Sequence, residues 1–168
     1  MKTISYAITV HNEIDELTKL LNFLQLHIRK EDEIVIQYDE SSATDEVKEY
    51  LTLMNSMHEN HKVCRFPLNK DFASFKNNLK LHCSKDYIFQ VDADEIPHEY
   101  LVEYLGEVLE TNPVDIVFVP RVNTVEGLEQ SHIDKWKWNV NDKGWVNFPD
   151  YQTRIYRNTE DVTWMNKV

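Results

Sequence analysis

Phe89-Gln90-Val91-Asp92-Ala93-Asp94-Glu95 is the stretch on which the fold of this chain turns. The run from Asp86 to Val91 is short, apolar and bounded by polar residues, as expected of a buried strand. It runs straight into Asp92 and Asp94, so both carboxylates emerge on a tight turn at its carboxyl end. Pro97 then opens a helix carrying Leu101, Tyr104, Leu105 and Val108. Two adjacent oxygen donors suit Mg²⁺ or Mn²⁺, hard cations that take oxygen ligands and keep room for phosphate. The plainer alternative is a solvated acidic turn capping the helix at Pro97. A D-x-D pair alone is weak evidence; its place at a strand end strengthens it.

Working outward, strand-like and helical patterns alternate. Residues 4–10 are β-rich and apolar. Residues 14–28 place Ile14, Leu17, Leu20, Leu21, Leu24 and Ile28 on one helical stripe. Asn12 is positioned to cap that helix, with Asp15 in capping-box spacing. A second strand, Glu33 to Tyr38, ends at Asp39-Glu40-Ser41-Ser42. The next helix carries Val47, Leu51 and Met54. Lys62 to Phe66 make a short strand, followed by a helix with Phe72, Phe75 and Leu79, and Val114 to Val119 a further strand after Pro113. The pattern predicts an α/β fold, a mainly parallel sheet with helices on both faces and right-handed crossovers. Residues 121–168 hold all four tryptophans and show no helical stripe. They read as a β-rich, Trp-rich portion of hairpin-like strands and loops covering one end of the sheet.

The length of 168 residues suits one domain, residues 1–168. The formal net charge is −11, from 18 basic and 29 acidic residues, which repels phosphate backbones and argues against nucleic acid as a partner. No apolar run approaches about 20 residues, and the apolar opening is too short for a secretion signal. The expectation is a cytoplasmic protein, with work at a membrane surface left open. Cys64 and Cys83 lack metal-type spacing and read as reduced, buried thiols. With only three glycines, Gly106, Gly127 and Gly144, neither the dinucleotide fingerprint nor the Walker loop can be built. A bound nucleotide diphosphate would need a cation to neutralise it.

Ligands of open parallel sheets sit beyond the carboxyl ends of the strands. The strand ends here deliver His11-Asn12-Glu13, Asp39-Glu40-Ser41-Ser42, Asn69-Lys70-Asp71 and Asp92-Ala93-Asp94-Glu95. So much acidic and amide character on one rim points to a cation.

These segments resemble family 2 glycosyltransferases of the GT-A type. Ile8-Thr9-Val10-His11-Asn12-Glu13 resembles their opening strand, and Asp39-Glu40-Ser41-Ser42 their D-[DE]-x-S segment. Asn69 to Asn77 is similar to their D-F-A-x-x-R-N helix start, with Lys76 where Arg is commoner, and Phe89 to Glu95 to their DADE motif. The four occur in order across residues 4–97. Residues 147–168 resemble their P-x-x-Q-x-R strand and the W-x-G-x-V-H-E ending that follows. The sequence reaches Val168 just where that His, a common metal ligand in the family, is expected.

The resemblance implies a Rossmann-like GT-A domain, with residues 1–97 as its nucleotide-binding half and residues 98–168 as its acceptor-side half. It implies a UDP-sugar donor and Mn²⁺ or Mg²⁺, with inverting transfer to the hydroxyl of a saccharide, lipid or protein acceptor. Val10, His11, Glu13, Asp71 and Ala93 would line the nucleotide pocket. Asp39 would bond the uracil or ribose, although capping the next helix is an alternative for it. Asp92 would reach the ribose or the metal shell, Asp94 would ligate the metal, and His132 is the nearest substitute for the missing His. Lys76 would face the diphosphate or base, or be a plain surface lysine. Asp150 is the first candidate for the base, with Glu126 and Asp134 as rivals. Trp136, Trp138 and Trp145 would stack on a sugar or pack the irregular portion. A homo-oligomer is left open. The rival functions are a UDP- and metal-binding module without turnover, and a haloacid dehalogenase-type phosphatase. The latter family places its acidic pair after the first strand and needs a later Lys and acidic motif with no good match here.

Overall fold

Ile4–Val10 is β1, buried on both faces along nearly its whole length, which marks it as an internal strand of a covered sheet. The structure, a computed structural model, describes residues 1–167; Val168, at the expected metal-ligand ending, lies outside the described residues. From β1 the chain continues through α1 (Ile14–His27), β2 (Glu33–Asp39), α2 (Asp45–Met57), β3 (His61–Phe66), α3 (Phe72–His82) and β4 (Tyr87–Asp92). It then forms α4 (Glu99–Thr111), β5 (Ile116–Asn123), α5 (Gln130–Trp136) and β6 (Val146–Arg157). The sheet order is β3-β2-β1-β4-β6-β5. β1 through β4 pair in parallel, and β6 runs antiparallel to both its neighbours.

The expected α/β architecture is present, with the larger core on one face and a smaller one on the other. Leu17, Leu20, Leu21 and Leu24 of α1 join residues of α2 and α4 against Tyr6, Ile8, Ile34, Ile36 and Phe89. On the opposite face Leu79 and Cys83 pack against Ala7, Val35, Ile88 and Tyr156, with Trp164 alongside.

Four local expectations are corrected. The N-cap of α1 is Glu13, not Asn12, and no side chain caps it. The Glu13 carboxylate turns back instead to accept the amides of His11 (2.9 Å) and Asn12 (3.1 Å). Second, α4 starts after Pro97, with His98 as N-cap, and buries Val102, Leu105, Gly106 and Leu109. Tyr104 and Val108, expected on its apolar stripe, are exposed. The buried face includes Gly106, whose carbonyl accepts the amide of Lys2 and whose bare Cα lies against the Lys2 carbonyl. A Cβ there would sit 2.5 Å from that oxygen, so this face of the helix needs a glycine to approach so closely.

Third, the described part of that Trp-rich portion, residues 121–167, does not merely cover one end of the sheet. β6 inserts between β4 and β5, and Ile155 and Tyr156 are buried on opposite faces. β5, with its alternating exposure, is left as the edge strand. Fourth, α5 is a helix within the portion read as strands and loops; none of its residues is buried, so no apolar stripe announced it.

Candidate functional site

Parallel strands start and stop together, so the loops after β1, β2, β3 and β4 meet at one edge and enclose a cleft of about 360 Å³. Thr9, Val10, His11 and Glu13 line it from β1, Asp39 and Ser42 from β2, and Asp92, Ala93 and Asp94 from β4. Leu68 of the β3–α3 connection and Phe72 and Phe75 of the first turn of α3 form an apolar wall. That connection reverses through Asn69 and Lys70, both with positive φ (47° and 58°), which turns Leu68 inward.

Asp39 is held rather than loose. Its Oδ1 accepts the Ser41 amide (3.1 Å), the Ser41 hydroxyl (2.6 Å) and the Leu68 amide (3.1 Å), while the Ser42 hydroxyl donates to Oδ2. Burial pushes its pKa up, but these bonds outweigh burial and bring it to about 2. The helix-cap alternative fails, because α2 is capped by Thr44. Asp39 therefore presents a fixed anion to the cleft.

Asp92 is held as firmly. The Thr9 hydroxyl donates to its Oδ1 (3.0 Å), and Arg154 Nη1 stands 3.1 Å from its Oδ2. The other Arg154 nitrogen pairs with Glu95 Oε1. Arg154 is 8% exposed, a buried fork joining the two carboxylates. Glu95 also lies 3.5 Å from Arg121, which pairs with Asp150 at 2.7 Å. Ion pairs thus run from Asp92 to Asp150. Asp94, by contrast, stands exposed on the cleft, and no side chain among the described residues bonds to it.

The remaining sequence candidates are dispersed. Asp71 caps α3 by accepting the Ser74 amide (3.0 Å) and does not line the cleft. Lys76 lies 4.3 Å from the Trp164 ring; burial lowers its pKa, and it feels the charges of Asp92, Arg154 and Glu95, so it is not a plain surface lysine. His132 sits in the first turn of α5, where it accepts the Glu129 amide and stacks on Trp136 at 5.3 Å. It does not join Asp92 and Asp94: no group of three or more His, Cys, Asp or Glu suited to a metal stands together among the described residues. Asp134 accepts from Gln130 within the same helix. Trp136 and Trp138 pack on each other at 4.8 Å, and Trp145 packs on Phe148 at 4.8 Å. Asp150 accepts from Asn123 (3.1 Å), Arg121 (2.7 Å) and Gln152 (2.6 Å), and those bonds hold its pKa below the ordinary range. Behind Glu95 and Arg154 lies a second groove of about 650 Å³, floored by Phe89, Val91 and Leu101 and edged by Trp145 and Phe148.

The sequence model of the family described as "Glycosyl transferase family 2" matches residues 5–166. The chain belongs to glycosyl transferase family 2. Membership removes the phosphatase alternative, and the acidic pair follows β4 rather than the first strand. No curated protein matches the chain significantly. Among solved structures, S. aureus TarS (residues 1–349) is similar with a TM-score of 0.64 and 18% identity, over 94% of this chain and 47% of that one. The same protein in complex with UDP-GlcNAc gives 0.63 and 18%, over 94% and 46%. The mannosyltransferase PcManGT of Pyrobaculum calidifontis, in complex with GDP-Man and Mn²⁺, gives 0.57 and 17%, over 71% and 35%. The chain spans less than half the length of these neighbours, which share its GT-A fold.

The residues fit the divalent cation that family 2 implies, in one particular manner. Asp94 is exposed and Asp92 already engaged, so the chain offers no closed cage. Mg²⁺-like ions are commonly held by one or two carboxylates together with substrate phosphates, and this donor set suits that arrangement.

Thr9, Ser42 and Leu68 line the cleft and Arg154 pairs with Asp92, yet sequence reasoning gave none of the four a role of its own. Thr9, Ser42 and Arg154 nevertheless fall within the motifs it singled out. Arg154 carried a legible signal: a charged residue immediately before the apolar pair Ile155-Tyr156 in a strand.

Proposed function

We propose that this domain transfers a sugar, with inversion, from a UDP-sugar to an acceptor hydroxyl, with Mn²⁺ or Mg²⁺ taking part. The observation that carries this is the meeting of Asp39, Asp92 and Asp94 in one cleft beside an apolar wall. Leu68, Phe72 and Phe75 offer a flat base an apolar slot. Asp39, kept ionised by its serines, accepts from the uracil or ribose. Val10, His11, Glu13 and Ala93 form the remaining walls. Asp94, with Asp92 behind it, would hold the cation, which offsets the charge growing on the departing diphosphate. Complexes of similar proteins with UDP-GlcNAc, and with GDP-Man and Mn²⁺, support a nucleotide-sugar donor and a metal.

In the transfer, the acceptor oxygen forms a bond to the anomeric carbon as the bond to UDP breaks, and its proton passes to a carboxylate. Asp150 is assigned as that base. Its bonds from Asn123, Arg121 and Gln152 hold its pKa below the ordinary carboxylate range, so it stands ionised and able to take the proton.

The test is UDP release from a panel of UDP-sugars with Mn²⁺ and candidate acceptors. Turnover is expected, and Asp150→Asn is expected to lower kcat by about 100-fold or more with donor binding unchanged. Donor binding without UDP release from any member of the panel would leave a binding module instead.

A further inference from the structure

Asp92 and Asp94 share one turn, yet among the described residues only Asp94 is without a side-chain partner. Asp92 spends Oδ1 on Thr9 and Oδ2 on Arg154. An arginine 8% exposed is costly to bury unless its charge is paired, and Arg154 is paired twice, with Asp92 and with Glu95. Lys76 adds a second cation near the same carboxylates. Without ligand, the charges of Asp92 and Glu95 beside Asp94 are therefore largely cancelled from within the protein.

We infer that Arg154 is a positioning residue that fixes Asp92 and Glu95 and, as an internal counter-cation, suppresses metal binding until a nucleotide diphosphate arrives. This rests on the donor-site reading above. The diphosphate brings the missing negative charge and further oxygen ligands, so nucleotide and metal bind with strong mutual coupling. Removal of the guanidinium frees Asp92 and Glu95 to act beside Asp94, and the metal no longer needs the nucleotide.

The test is a titration of Mn²⁺ alone, followed by the loss of the free-ion paramagnetic resonance signal. It compares the wild-type chain with Arg154→Gln, Arg154→Lys and the double variant Arg154→Gln/Asp94→Ala. Arg154→Gln is expected to bind Mn²⁺ about tenfold or more tightly than wild type, because an opposing charge a few ångströms away is gone. Arg154→Lys, which keeps a charge but lacks the fork that spans two carboxylates, is expected to lie between. Adding Asp94→Ala should abolish the gain, and UDP should strengthen Mn²⁺ binding less in Arg154→Gln than in wild type. Equal Mn²⁺ affinity in wild type and in either single variant that melts cooperatively overturns the inference. If Arg154→Gln fails to fold, Arg154→Lys decides. Wild-type binding of UDP with Mn²⁺ is measured alongside: its absence removes the donor site and this inference with it, whereas its presence without the gain removes this inference alone.

Discussion

Asp92 and Asp94 are two residues apart and held in opposite ways, and substitution should separate them. Asp94 bonds to no described side chain, so Asp94→Ala should leave the urea midpoint where it is. Asp92→Ala strands one arm of a buried arginine and the Thr9 hydroxyl, with an expected loss of about 1–3 kcal/mol. Equal midpoints for the two variants would show that the Arg154 contact carries no weight. Asp39 supplies the pH dependence. Unfolded, its carboxyl takes a proton near its ordinary 3.8, whereas folded it does so near about 2. Between those values the unfolded chain binds more protons, so the stability conferred by the Ser41, Ser42 and Leu68 bonds is full above the unfolded value. It drains away as the pH falls toward the folded one. Wild type should therefore exceed Asp39→Asn clearly at about pH 5, with the gap narrowing at about pH 3. A gap independent of pH would assign the loss to packing.

Single elements were legible wherever a periodic apolar pattern met burial. The leucines of α1 spell out its buried stripe, and β1, β2 and β4 read as largely apolar, β-rich runs without alternation because both their faces are covered. Legibility failed where a tertiary contact overrode the pattern. In α4, Tyr104 and Val108 look as apolar as Val102 and Leu109, and the face that turns inward is the one carrying Gly106, whose bare Cα admits the Lys2 carbonyl. Gly106→Ala tests that contact. Alanine gains about 1 kcal/mol of helix propensity, but its Cβ would meet a backbone oxygen and the Arg29 guanidinium, an overlap worth about 1–3 kcal/mol. The Lys2 backbone carbonyl, just ahead of β1, cannot swing aside as a side-chain tip can, so a lower melting temperature is expected. A higher one would mean that α4 slides freely on the sheet.

Across the whole molecule, the parallel half of the sheet made the cleft readable, since every strand end in such a sheet falls on one rim. What could not be read was the partner of each acidic residue. Arg154 lies 62 positions after Asp92 in sequence, and their meeting depends on β6 entering the sheet next to β4. Local pattern holds no information about that pairing. The same insertion sets Asp150 of β6 opposite Arg121 of β5, so the ion pairs from Asp92 to Asp150 belong to the topology rather than to any one motif. The net charge of −11 fits a protein that binds its anionic ligand through a cation rather than through a basic surface. Calorimetric titration of UDP into the wild-type chain and Asp94→Ala, with and without Mn²⁺, addresses this most directly. Saturable binding that requires Mn²⁺ and disappears in Asp94→Ala is expected. Binding that is equal with and without the metal, or unchanged in Asp94→Ala, would mean that Asp94 does not hold a cation for the donor.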